Sequence, residues 1–225
     1  MSFEHEQKGP ASPSNFEVDP RDHFYQKQQG AIRLLDSVRV GLTGLALLSG
    51  ITILGTAANA TMVYNNTHVS KGFNLALWPD EFDLRPTVAL VVGSSIVILA
   101  NLVSLMFAKT RVLQNQALVH TSMTFMAPFV GFAAALIAIV FFYAVNVSTT
   151  VDTLQSWSCQ WGYTNMKMEP HFGTLCNQSK TALYLAVILA PVEFIALAVA
   201  GAQMAMERKT RAFVPAPKPS SPALS

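Results

Sequence analysis

Charge is scarce in this sequence. Only 12% of its 225 residues are Lys, Arg, Asp or Glu, about half the share of an average soluble domain. Between Arg111 and Asp152 there is none. The formal net charge of +2 is too small to argue for a nucleic-acid partner. Two cysteines allow one disulfide at most. No HExxH, GxSxG or phosphate-binding loop is present, and the five histidines (His5, His23, His68, His120, His171) are scattered. These absences argue against an enzyme, a bound metal or a cofactor. No long-period repeat is present. The first thirty or so residues are polar with no cleavable apolar core, so membrane insertion is expected to depend on the first spanning helix.

What is abundant is apolar: 51% of the chain. The uncharged run Val112 to Val151, with FMAPFVGFAAALIAIVFFYAVNV at its centre, exceeds the roughly 20 residues that cross a bilayer core of about 30 Å. Three more such segments give four spans, at about 40–62, 86–108, 120–147 and 181–206. The expected fold is all-α, an integral membrane four-helix bundle with disordered cytoplasmic tails.

The proline-bearing stretch 1–21 and the low-complexity stretch 207–225 are those tails. Between the first tail and the first span, residues 22–39 form an amphipathic juxtamembrane segment, with Ala31, Leu35 and Val38 near one face and Arg33, Asp36 and Ser37 mostly on others. It reads as an interfacial helix or, more simply, as an extension of the first span. Gly30 argues against a helix starting earlier.

Small residues stripe the first span: Ala46, Ser49, Gly50, Ala57 and Ala60 share a face. In lipid such faces let backbones approach closely, so a packed bundle is expected. In the second span Ser94 and Asn101, seven apart, share a polar face; Pro86 suits its first turn. Pro128 should kink the third. Glu193 is the one charged residue well inside any span. A carboxylate at that depth costs about 2.5–3.5 kcal/mol on insertion scales. Ala182, Ala186, Ala196 and Ala200 share its face, so it should point into the bundle, with Ser49, Thr52 and Ser95 as candidate partners. It is either a proton or cation site or a hydrogen-bonded acid that fixes packing.

Orientation follows from the basic residues. Eleven of the fifteen fall in the two tails, the juxtamembrane segment and the connector between spans two and three; only Lys71, Arg85, Lys167 and Lys180 lie on the other side. The basic side is expected to be cytoplasmic, with both termini there. All four Asn-x-Ser/Thr sequons, at Asn59, Asn65, Asn146 and Asn177, fall in or beside the opposite loops. Asn65 and Asn177 are the candidate glycosylation sites, since Asn59 and Asn146 lie too near the membrane. Cys159 and Cys176 lie on the same side, where disulfides persist. A bridge between them closes a loop whose loss costs about 3 kcal/mol in the chain-entropy model. The spacing of two cysteines and His171 fits no common zinc pattern. Trp157, Trp161, Tyr163 and Phe172 then form an aromatic cap or a lumenal contact surface. In loop one, Trp78 and Phe82 suit an interface belt with Asp80, Glu81 and Asp83 in water.

Four spans, cytoplasmic termini and a cysteine pair between spans three and four resemble the MARVEL-type four-span membrane proteins. The chain is most similar to small fungal members through LWPDEFDLRP in loop one and WSCQW and FGTLC in loop two. The resemblance covers about Arg33 to Arg211. It implies a non-enzymatic protein that organises membrane domains, with the lipid bilayer and other membrane proteins or a second copy of itself as partners, in a plasma or internal membrane. Claudin-like proteins carry their Trp and cysteine motif in loop one, and tetraspanins need a Cys-Cys-Gly motif; both are missing here. The alternative is a transporter, channel or accessory subunit that uses Glu193.

The topology makes a direct prediction. In intact cells, a membrane-impermeant maleimide should label the cysteines only after reduction and only from the non-cytoplasmic side. Labelling from the cytosol without reduction would invert the orientation.

Overall fold

The computed structural model describes residues 20–68, 77–79, 81–109, 117–164 and 170–213. Among them five helices and two very short strands follow one another: α1 (Pro20–Thr67), β1 (Phe82–Asp83), α2 (Arg85–Lys109), α3 (Ala117–Ser148), β2 (Asp152–Thr153), α4 (Leu154–Gln160) and α5 (Phe172–Phe213). Four of the helices are long and apolar enough to cross a membrane, over Gly30–Thr67, Arg85–Phe107, Phe125–Ser148 and Phe172–Met206. Helix is the form such segments take in lipid, because every backbone N–H and C=O is satisfied within the segment. Hydroxyls follow the same rule. Thr43, Thr56, Thr61 and Ser94 each donate to the carbonyl four residues back in their own helix. The chain is thus an all-α four-helix bundle of an integral membrane protein.

The packing forms a ring. α1 lies against α2 and α5, and α3 lies against the same two, while α2 and α5 meet sparingly across the diagonal. Sequence neighbours being antiparallel, α2 and α5 run in the same direction. The core holds the small-residue faces that the sequence marked: Ala46, Ala57 and Ala60 of α1 and Ala182, Ala186, Ala196 and Ala200 of α5 are buried. The outside is apolar, with Leu48, Leu99, Ile137 and Val140 each more than three-fifths exposed. In water so much exposed apolar surface would drive association; in a bilayer it faces acyl chains.

Helix ends differ from expectation. α1 runs unbroken through Gly30 from Pro20, so the juxtamembrane segment is an extension of the first span; one glycine costs about 1 kcal/mol and does not outweigh the surrounding helix formers. α1 also continues five residues past Met62, because Tyr64 and Thr67 of its last turns pack on loop one. α5 begins at Phe172, nine residues before Thr181, and runs to Phe213, past the expected start of the tail. Residues 1–19 and 214–225 of the tails lie outside the described residues, as do Lys71, Asp80, Lys167 and most of the basic connector. Helix α3 is continuous through Pro128.

Two of the ring's contacts depend on glycine. A Cβ at Gly93 of α2 would stand 2.6 Å from the Cβ of Ala138 and 3.4 Å from the carbonyl oxygen of Ala134, both on α3. At Gly50 of α1 it would meet Ile98 Cγ1 at 3.1 Å. Gly93→Ala should therefore lower stability by about 1–3 kcal/mol, the usual cost of overpacking. Gly41→Ala, where nothing lies within 4 Å, should be neutral or gain up to about 1 kcal/mol from helix propensity. Thermal unfolding of both variants in one detergent checks the contrast.

Candidate functional site

Glu193 lies at the middle of α5 and is fully buried. Its partner comes from the diagonal helix. Asn101 Nδ2 of α2 donates to Glu193 Oε1 at 2.6 Å and, through its second hydrogen, to the carbonyl oxygen of Val97 at 3.0 Å. The third wall is Gly131 of α3, where a Cβ would stand 2.9 Å from both Cδ and Oε1 of Glu193. Three helices thus close on one carboxyl group, and a Cβ at the α3 position would push that group out of its place. Oε2 has no hydrogen-bond partner among the described residues.

Ser49, Thr52 and Ser95 do not meet Glu193. Thr52 donates to Leu48 and Ser95 to Val91, each in its own helix. Asn101 was marked in the sequence only by its seven-residue spacing from Ser94; both are buried. Gly131 carried no signal, since nothing in FMAPFVGFAAAL says which residue faces a carboxyl group on another helix. Among the described residues, no group of three or more His, Cys, Asp or Glu could hold a metal ion. The arrangement can hold helices in register and can take up a proton.

No family model, curated protein or solved structure matches the chain.

The loop end of the bundle is the second built region. Cys159 of α4 and Cys176 of α5 are bonded, with Cα atoms 4.7 Å apart. Next to them Gly162 and Gly173 touch: a Cβ at Gly173 would stand 2.7 Å from the Gly162 carbonyl oxygen. β1 and β2 pair in parallel, Phe82 with Asp152 and Asp83 with Thr153, so the backbone joins loop one to loop two, while the disulfide fastens α4 to α5 within loop two. Thr153 and Ser156 form a capping box on α4.

The aromatic cap is real but differently composed. Phe172 lies inside it, buried with Trp78, Leu154, Leu175 and Ala60, so it is part of the cap and not of an outer surface. Trp78 is also inside rather than in an interface belt. Its ring meets Tyr64, Phe82 and Phe172 edge-on, and its Nε1 donates to Thr67 Oγ1 at 3.0 Å. Tyr64 stacks on Phe82 at 4.7 Å. Trp157 is half-buried against the cap and touches Trp161; Trp161 and Tyr163, 38% and 79% exposed, are the outward rings. Loop one supplies the centre of this cluster, and its 69–76 stretch separates Trp78 from α1 in sequence, which hid the contact.

Asp83 is buried and paired. The Arg85 guanidinium donates from Nε to both carboxylate oxygens, at 3.0 and 3.1 Å, and from Nη2 to Oδ2 at 2.8 Å. These bonds hold the Asp83 carboxyl below the usual carboxylate range despite its burial. Asp83 Oδ1 also accepts the backbone N–H of Arg85, one of the unpaired donors at the start of α2.

Asn65 and Asn177, the sequon candidates, are exposed but helical, in the last turns of α1 and the second turn of α5. Asn59 Nδ2 donates to Gln178 Oε1, and Asn146 Oδ1 accepts from Thr153 Oγ1.

If Asn101 holds Glu193 as described, Asn101→Ala should cost about 1–2 kcal/mol, the range for a hydrogen bond between helices in lipid. In a Glu193→Ala background most of that cost should vanish. A double-mutant cycle by thermal unfolding measures the coupling.

Proposed function

We propose that this protein is a non-enzymatic four-span membrane protein that acts by lateral association with lipid or protein partners, as the MARVEL-type resemblance implies. The observation that carries the reading is the closed setting of Glu193. Its carboxyl group is fully buried, bonded to Asn101 and covered by the backbone of α3 at Gly131. A carboxyl group placed so ties α2, α3 and α5 into one body, and what remains to meet partners is the outer surface. In this reading both termini face the cytoplasm, and the bridged loop end, with Trp161 and Tyr163 outward, faces the opposite side. Asn65 and Asn177 are there for glycosylation.

A second reading has one specific observation in its favour. Glu193 Oε2 is buried without a hydrogen-bond partner among the described residues, and an unpaired carboxyl oxygen inside a membrane is a place to bind and release a proton. Reconstitution into proteoliposomes containing a pH-sensitive dye separates the two. Lateral organisation predicts no proton or cation flux that depends on Glu193, with folding and association intact in Glu193→Gln. A flux present in the wild type and lost in Glu193→Gln would establish transport.

A further inference from the structure

A furrow runs down the outside of the bundle between α2 and α3. Its volume is about 880 Å³, within the usual range for small-molecule sites. The floor is made by small residues, Ala89 and Gly93 of α2 with Ala134 and Ala138 of α3, where Gly93 leaves no room for a Cβ against Ala138. The walls are larger and exposed: Val88, Val92 and Ile96 on one side, Ile137 and Phe141 on the other.

Two properties say what fits it. The first is length. From Arg85 to Ile96 is eleven residues of helix, about 16 Å at 1.5 Å per residue, and one leaflet of a bilayer core is about 15 Å. The furrow therefore extends from the headgroup level to the midplane and no further. The second is charge. Its upper rim is built by Glu81, Asp83 and Arg85 beside Val151. The Arg85 guanidinium is 72% exposed and already neutralised by Asp83, which is 5% exposed. Glu81 is exposed beside them. Among the described residues, two carboxylates and one guanidinium leave this rim net negative, which disfavours an anionic headgroup. A headgroup with both signs is matched: phosphate on the outer face of Arg85, ammonium toward Glu81.

We infer that the α2–α3 furrow is a binding site for a single zwitterionic phospholipid of the leaflet at the bridged-loop end, with one acyl chain along Gly93 and the headgroup between Arg85 and Glu81. This rests on the reading of the protein as a lateral organiser and names lipid as the partner on this face.

The test is native mass spectrometry of the full-length protein after exchange, in mild detergent, with an equimolar mixture of phosphatidylcholine and phosphatidylglycerol. One tightly held lipid per chain is expected, with phosphatidylcholine favoured about fivefold, the effect of one charge near a membrane surface. Glu81→Gln should remove that preference. Val92→Trp, filling the furrow at an exposed wall, should abolish the retained lipid without changing the melting temperature; Val88→Trp is the second filling variant should the first unfold. The inference is overturned if no lipid is retained, if phosphatidylglycerol binds equally well to the wild type, or if a well-folded filling variant keeps its lipid. It is equally overturned if Val92→Cys chains form disulfide-linked dimers with lipid excluded, which would make the furrow a contact between copies. A Glu193-dependent flux with lipid still held would sink the organising function and leave the lipid site standing.

Discussion

Four helices in lipid have no water to hide from, so apolar burial does not hold them together, and close backbone packing with a few internal polar contacts must do so. The whole bundle answers to that constraint. Alanine faces bring α1 and α5 together. Gly93 lets α2 reach Ala138 on α3. Glu193 reaches across the diagonal to Asn101, and Gly131 leaves the room it needs. Each contact uses a missing or minimal side chain on one helix to admit a neighbour, so the fold is specified as much by where Cβ atoms are absent as by where polar groups stand.

The loop end solves a different problem. There water is present and aromatic burial is favourable, so the cap is built as a small conventional core around Trp78, Phe172 and Leu154. A disulfide, a two-residue parallel pairing and the contact of Gly162 with Gly173 fasten it. This cap extends α1 to Thr67 and starts α5 at Phe172, because the last turns of one helix and the first of the other are its walls. The Asp83–Arg85 pair then joins cap to membrane span, with Asp83 facing inward and Arg85 outward.

The spans, the inward alanine faces and the cysteine pair were legible because each is a local pattern: an uncharged run, a helical period, a count of two. The helix ends were not, since they depend on Trp78 and Phe172, far apart in sequence, meeting in the cap. That error carried into the candidate site. Starting the fourth span at Thr181 sets Glu193 twelve residues below the loop end, a depth that falls at Ile98 when counted from Pro86, between Ser95 and Asn101. With the cap occupying the first turns of α5, Glu193 sits more than a turn deeper, and Asn101 is what lies opposite. Gly131 was beyond reach for another reason: a glycine's role lies in what the neighbouring helix places there.

The same residue that closes the bundle also opens its surface. Gly93 brings α2 and α3 so near that their larger side chains, Val92 and Ile137 among them, stand up on either side of a seam floored by glycine and alanine. A helix pair packed through bulkier residues would be further apart and flatter outside. Tight packing in lipid therefore carries a furrow with it, and whatever fills the furrow adds contacts to both helices beside Gly93. An acyl chain lying there would brace α2 against α3 from outside, as Glu193 braces α2, α3 and α5 from within.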